Sequence, residues 1–347
     1  MSPSSNRPLA ALPGRKLVVA AVLLAVVVVV LGAFTRLVDA GLGCPDWPGC
    51  YGHLLWPDTP EEIRIAEQRF NETVEHDKTW PEMVHRYFAT TLGAVIVALT
   101  IVAFRARKQY PDYPVKHCIG LLALVILQGA FGAWTVTLKL WPQVVTAHLL
   151  GGFSVLALLW LLYLRLGNNA PAAPDRKTDR FRAWAIGGLV VVFIQIALGG
   201  WTSSNYAAIA CINFPTCHGH WLPPLDMAEA FDITQDIGPN YLGGTMDNDA
   251  RVTIHFVHRV GALVVTLYLL GLCAALLKAG SASLRPYAIA VLAALVIQVT
   301  LGISNVIYII PLPGAVAHNA GGALLLLTLV TLLHQLYRYR QQPEGTQ

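Results

Sequence analysis

At 347 residues, 55% of them hydrophobic and only 13% charged, the chain is far too apolar for an ordinary water-soluble protein of its length. A soluble enzyme is excluded. The net charge of +4 reflects topology and not a nucleic-acid surface, because the basic residues alternate with the apolar runs.

A helix that crosses a hydrocarbon core takes roughly 20 apolar residues. The first such run covers about 17–35, behind Arg15 and Lys16. It has the layout of a signal peptide, yet "LGAFTRLVDAG" offers no clear small-x-small cleavage site, so it reads as a retained helix. The acid-rich loop 36–80 follows, with Cys44 and Cys50 in "GLGCPDWPGC". Its 52–79 stretch, containing "EEIRIAEQRFNETVEHDK", is expected to form an amphipathic helix over the outer mouth. Runs at 83–104, 118–138 and 143–164 complete a first group of four. After the polar, Pro-containing linker "LGNNAPAAPDRKTDR" (166–180), runs at 183–202, 252–277, 287–310 and 314–336 form a second group. The loop 203–250 carries Cys211 and Cys217 and has no Lys or Arg.

The two groups repeat each other. "MVHRYFATTLGAVIVAL" in the second run matches "FVHRVGALVVTLYLL" in the sixth, and "VVTAHLLGGFSVLALL" in the fourth matches "GAVAHNAGGALLLLTL" in the eighth. The odd runs share "QGAFGAW", "QIALGGW" and "QVTLGIS", with "VVVLGAF" in the first. The expected fold is an all-α integral membrane protein of eight transmembrane helices, two tandem four-helix bundles related by internal duplication. Residues 1–165 make the N-terminal half, 166–182 a cytoplasmic linker and 183–347 the C-terminal half.

Orientation follows from the positive-inside rule. With the N-terminus inside, the inner segments hold Arg7, Arg15, Lys16, Arg105, Arg107, Lys108, Lys116, Arg165, Arg176, Lys177, Arg180, Arg182, Lys278, Arg285, Arg338 and Arg340, sixteen of the 24 Lys and Arg. Both termini are therefore expected in the cytoplasm, with both cysteine pairs on the opposite, oxidising face. The pairs share one spacing and read as disulfides. A zinc site helped by His218 and His220, and a redox role for Cys44 and Cys50, stay open beside the structural reading. Cys118 and Cys273 lie within apolar runs and read as fillers.

Four of the eleven histidines recur in the repeat: His85, His148, His258 and His318, one in the opening turns of each even-numbered run. Two imidazoles at one level on facing helices can hold a haem iron from both sides, which predicts the pairs His85 with His148 and His258 with His318. The small residues of "HLLGG" (148–152) and "HNAGG" (318–322) would let a flat macrocycle approach the backbone. The competing reading is four histidines that hydrogen-bond between helices. Arg86 and Arg259 each follow a histidine and are candidate partners for haem propionates, with snorkelling to the surface as the alternative. The repeat breaks where Glu82 of the first half is replaced by His255 in the second. Glu82 lies one helical turn from His85 and can act on whatever the first site holds.

These motifs together resemble the haem A synthase family, in its bacterial, cysteine-containing branch, over nearly the whole chain. The resemblance rests on the eight runs, the four histidines, "GLGCPDWPGC", "EMVHR" and the second cysteine pair. It implies an oxidoreductase that converts a methyl group of haem O to the formyl of haem A for terminal oxidases. It implies Glu82 as the essential glutamate, His85 and His148 as ligands of the substrate haem O, and His258 and His318 as ligands of a haem b that relays electrons. It implies a functionally important pair in Cys44 and Cys50 and a stabilising pair in Cys211 and Cys217. It places the chain in a bacterial inner membrane beside the farnesyl-transferring haem O synthase and oxidase assembly factors; a mitochondrial relative would carry a longer Arg- and Ser-rich leader. The electron acceptor, the source of the inserted oxygen and the oligomeric state are not legible, although the apolar odd helices offer faces for a homo-oligomer. A two-haem electron-transfer cytochrome explains the histidines equally well, and a duplicated transporter would explain the repeat, but neither employs Glu82.

Overall fold

The computed structural model describes residues 12–167, 179–279 and 282–338. Ten α-helices are found among them: α1 (Arg15–Leu37), α2 (Pro60–Phe70), α3 (His76–Ala106), α4 (Val115–Thr137), α5 (Pro142–Leu166), α6 (Asp179–Ser204), α7 (Met227–Ala230), α8 (Asn248–Lys278), α9 (Arg285–Ile307) and α10 (Leu312–Arg338). Eight of them, all but α2 and α7, are long and apolar enough to span a membrane.

Three helix starts differ from the sequence reading. The helices α3 and α8 begin at His76 and Asn248, ahead of the predicted 83 and 252, because their first turns are too polar ("HDKTW", "NDARV") to register as membrane segments. His85 and His258 therefore sit in the third turn of their helices and not in the opening ones. At the third, residues 179–182 of the expected linker are already the first turn of α6. The remainder of the linker, 168–178, lies outside the described residues, as do Arg7, Arg176, Lys177 and Arg340.

The spanning helices form two rings of four. In the first, α1 packs on α3, α3 on α4, α4 on α5 and α5 back on α1; in the second, α6, α8, α9 and α10 close in the same order. The rings join where α5 meets α6 and α10, and α1 meets α10. Hydrogen bonds stitch the cysteine-bearing face across the join: Arg36 to the Ser203 carbonyl (2.6 Å), Tyr206 to Asp39 (2.9 Å) and the Tyr241 amide to the Lys139 carbonyl (3.0 Å).

Packing differs along the membrane normal. The second half of each histidine-bearing helix is filled with buried aliphatics: Ile96 and Leu99 in α3, Leu159 and Leu162 in α5, Leu269 and Leu272 in α8, Leu329 and Leu332 in α10. Interdigitated leucines of this kind hold helices at a fixed separation. The first half of the same helices carries His85, His148, His258 and His318 and small residues instead, so these four histidines lie in the cysteine-bearing half of the bundle.

Candidate functional site

Each of the four histidines faces a glycine of the preceding spanning helix. A Cβ built on Gly32 would lie 2.9 Å from Cε1 of His85; on Gly132, 3.5 Å from that of His148; on Gly199, 3.3 Å from that of His258; on Gly302, 3.0 Å from that of His318. A larger residue there would push the ring aside at Gly32, Gly199 and Gly302, so the "LG" steps of α1, α6 and α9 set where His85, His258 and His318 stand. His85 lies within electrostatic range of His148, and His258 of His318, which brings together the couples expected from the repeat. The Nδ1 atoms of His85, His148 and His318 are buried without a hydrogen-bond partner. Buried polar atoms are nearly always satisfied, so these rings fit a role as ligands to a group such as a haem iron.

Two of the glycines beside the histidines are occupied by neighbouring side chains, whereas a Cβ on Gly152 would meet nothing within 4 Å. Gly151 and Gly321 are filled by side chains of the neighbouring helices: a Cβ would lie 1.8 Å from Nε2 of Gln128 and 2.4 Å from Oε1 of Gln298. These glutamines had no role in the sequence reading. Their signal was visible as the Gln that precedes Gly by four residues in α4, α6 and α9.

Above His85 the first cysteine loop closes onto α3. Cys44 and Cys50 are bonded, with Cα atoms 4.8 Å apart. The loop packs against α3 so tightly that a Cβ on Gly43 would lie 2.4 Å from the Lys78 carbonyl oxygen. Glu82 is 5% exposed and held from both sides: the Cys44 amide donates to its Oε2 at 3.0 Å, and Arg86 donates to its Oε1 at 2.5 Å. Arg86 also donates to the carbonyls of Asp46 (3.0 Å) and Gly49 (2.6 Å). The expected helix of the 52–79 stretch is α2, opened by a capping box between Thr59 and Glu62. Its Ala66 packs with Cys44, Cys50, Tyr51 and Met83, so α2 lies on the disulfide loop.

The second half repeats the construction with one change. Cys211 and Cys217 are bonded, Cα atoms 5.2 Å apart, and Arg259 donates to the carbonyls of Asn213 (2.8 Å), Thr216 (3.2 Å) and Cys211. With both pairs oxidised, the thiolates a zinc site would need are absent; His218 contacts the Ala210 carbonyl at 2.8 Å. Where Glu82 stands in the first half, His255 is 5% exposed and hydrogen-bonds the Ala207 backbone. In both halves the arginine holds loop carbonyls.

A model of the family described as cytochrome oxidase assembly protein matches residues 15–330. The heme A synthase of Shewanella oneidensis is 45% identical over 89% of this chain and 92% of its own length. Those of Allorhizobium ampelinum and Caulobacter vibrioides are 32% and 29% identical, covering 86% and 89% of this chain and 83% and 91% of their own. With eight spanning helices, two cysteine-capped rings and likeness along almost its full length to these relatives, the chain belongs to the haem A synthase family.

Proposed function

We propose that this protein is a membrane oxidoreductase that converts haem O to haem A, with the substrate held in the ring of residues 1–165 and a haem b in the ring of residues 183–347. The observation that carries the division of labour is the exchange of Glu82 for His255 between otherwise matching sites. His85 and His148 would hold the iron of the substrate, His258 and His318 that of haem b. The haem b supplies one-electron redox chemistry when bound.

Converting a methyl group to a formyl removes electrons and protons and adds one oxygen. Glu82 is the acid–base group one helical turn from His85, and its carboxylate accepts from the Cys44 and Gly43 amides and from Arg86, which leaves it acceptor capacity to spare. The carboxylate would then be able to take a proton from a substrate held at the first site or to steady positive charge there. Arg86 fixes its rotamer, and the disulfide loop with α2 covers the side chain from water. The basic helix ends support a reading in which both termini lie in the cytoplasm of a bacterial inner-membrane protein, with the sites near the outer leaflet. Substrate would come from the farnesylating haem O synthase, and product would go to terminal oxidase assembly.

The deciding experiment is extraction of porphyrins from the purified protein. Haem B accompanied by haem O, a hydroxylated intermediate or haem A supports the enzyme; haem B alone marks an electron carrier and ends this reading.

A further inference from the structure

Each cysteine loop turns three large apolar side chains outward, and the two sets stand at matching places. Trp47 and Phe214 are the third residue after the first cysteine; Leu54 and Trp221, then Leu55 and Leu222, are the fourth and fifth after the second. Trp47, Leu54 and Leu55 are 51, 86 and 55% exposed, and Phe214, Trp221 and Leu222 are 48, 76 and 69% exposed. These values are comparable with those of Leu23 (63%) and Ile126 (65%) on the outward faces of spanning helices. Single exposed apolar residues need no explanation, but a cluster present on both loops marks a contact surface. The tips that carry it are stiff, each closed by a disulfide and by paired backbone bonds, Cys50 with His53 and Cys217 with His220.

The arginines set the depth of these groups. Arg86 donates to the carbonyls of Asp46 (3.0 Å) and Pro48 (3.3 Å), on either side of Trp47. Arg259 donates to those of Asn213 (2.8 Å) and Thr216 (3.2 Å), which bracket Phe214. Each arginine immediately precedes an uncharged run, 87–104 in α3 and 260–277 in α8, eighteen residues in both cases. At about 1.5 Å per residue such a run rises about 27 Å, close to the thickness of a hydrocarbon core. The exposed aromatics are thereby tied to the level where hydrocarbon begins, the level of the aromatic belts of membrane proteins. The tip of the first loop is tied there too, since Tyr87, the first residue of its run and 43% exposed, donates to the Leu54 carbonyl.

We propose that the two cysteine loops are anchors in the leaflet on their own side of the membrane, pressing Trp47, Leu54 and Leu55, and Phe214, Trp221 and Leu222, into the boundary between lipid headgroups and acyl chains. The helix α3 packs on α1 and α4, and α8 on α6 and α9, so the anchors belong to different rings, and the bilayer is the neighbour that meets both at one depth. The contact is apolar in character: residues 37–63 and 203–250 contain no Lys or Arg to seek headgroup phosphate. The loop that holds Glu82 is then fastened twice, by Arg86 from within and by lipid from without.

The test places the photoreactive residue p-benzoylphenylalanine at Leu54, Leu55, Trp221 or Leu222, one position at a time in the full chain, so that a position that fails to express leaves others to read. Membranes are irradiated and the purified protein is weighed by mass spectrometry. Phospholipid adducts bonded in the upper acyl chain are expected, about tenfold more often than from the same probe at Glu61 or Asp236, exposed polar residues of the same two loops. An adduct with a second copy of the chain or with another protein, bonds confined to headgroups, or a lipid yield no higher than at Glu61 and Asp236 would each overturn the proposal.

Discussion

The two cysteine loops are built alike and finished differently. Each runs Cys-x5-Cys, each pairs its second cysteine with a histidine three residues on (Cys50 with His53, Cys217 with His220), and each is clasped by the arginine that follows a site histidine. In the first, the loop also reaches Glu82 through the Cys44 amide, and α2 covers it. In the second there is no carboxylate to reach, and the residue matching Tyr51 is the exposed His218. The shared parts are scaffold; the parts found on one side only, Glu82 and its cover, are what sets the proposed substrate site apart.

The largest expected effect tests that distinction directly. Glu82→Ala should lower conversion of haem O about 10²- to 10⁴-fold, the usual contribution of a positioned acid–base group, with the haem of the second ring retained. His255→Ala should leave far more of the conversion rate. Chromatography of haems from cells supplied with haem O reads both, and equal losses would erase the contrast between the halves. Next come the arginines. Arg86→Leu leaves the buried Glu82 carboxylate unpaired and should cost about 3–5 kcal/mol of stability. Arg259→Leu gives up bonds to loop carbonyls and strands no acid, so about 1–3 kcal/mol is expected. Thermal unfolding in detergent ranks the two.

A smaller effect separates the disulfides. Opening either short loop should cost about 2 kcal/mol by chain entropy. Only Cys44→Ser with Cys50→Ser should also slow turnover, since the Cys44 amide holds Glu82. If Cys211→Ser with Cys217→Ser abolished conversion while haem content stayed whole, the second loop would have a chemical part that the geometry does not give it.

How much of this was legible beforehand depends on the distance over which each signal acts. The eight spans, the paired histidines and the Glu82 exchange lie in hydropathy and in the repeat, both local properties of the chain. What α2 covers was not legible, because the amphipathic pattern of 60–70 shows an apolar face without naming its partner. The contacts of Arg86 and Arg259 with the cysteine loops were not legible either. Their geometry was set by loop carbonyls some forty residues away, which carry no side-chain signature. The glutamines were quoted as a repeat and left without work, since only the packing shows that each fills a glycine notch on a different helix.

The smallest predicted effect concerns the cover of the first loop. Tyr51 is 4% exposed, lies edge-on to Phe70 of α2 at 5.4 Å between ring centres, and donates to the Thr73 carbonyl at 3.1 Å. Burial, reinforced by the carboxylates of Glu72 and Glu75, pushes its hydroxyl up from 10.0 to about 12. Because the folded value lies above the unfolded one, the protonated phenol favours the closed loop. That contribution is complete below pH 10 and is lost as the pH rises toward 12. Alkaline titration should therefore loosen α2 from the disulfide loop in this window, and Tyr51→Phe should remove the pH dependence while costing about 1 kcal/mol for the lost hydrogen bond. A probe on α2 that reports the same alkaline transition in Tyr51→Phe would show that α2 is held by contacts other than this ring. The second loop, with an exposed His218 in the matching place, should show no counterpart in that range.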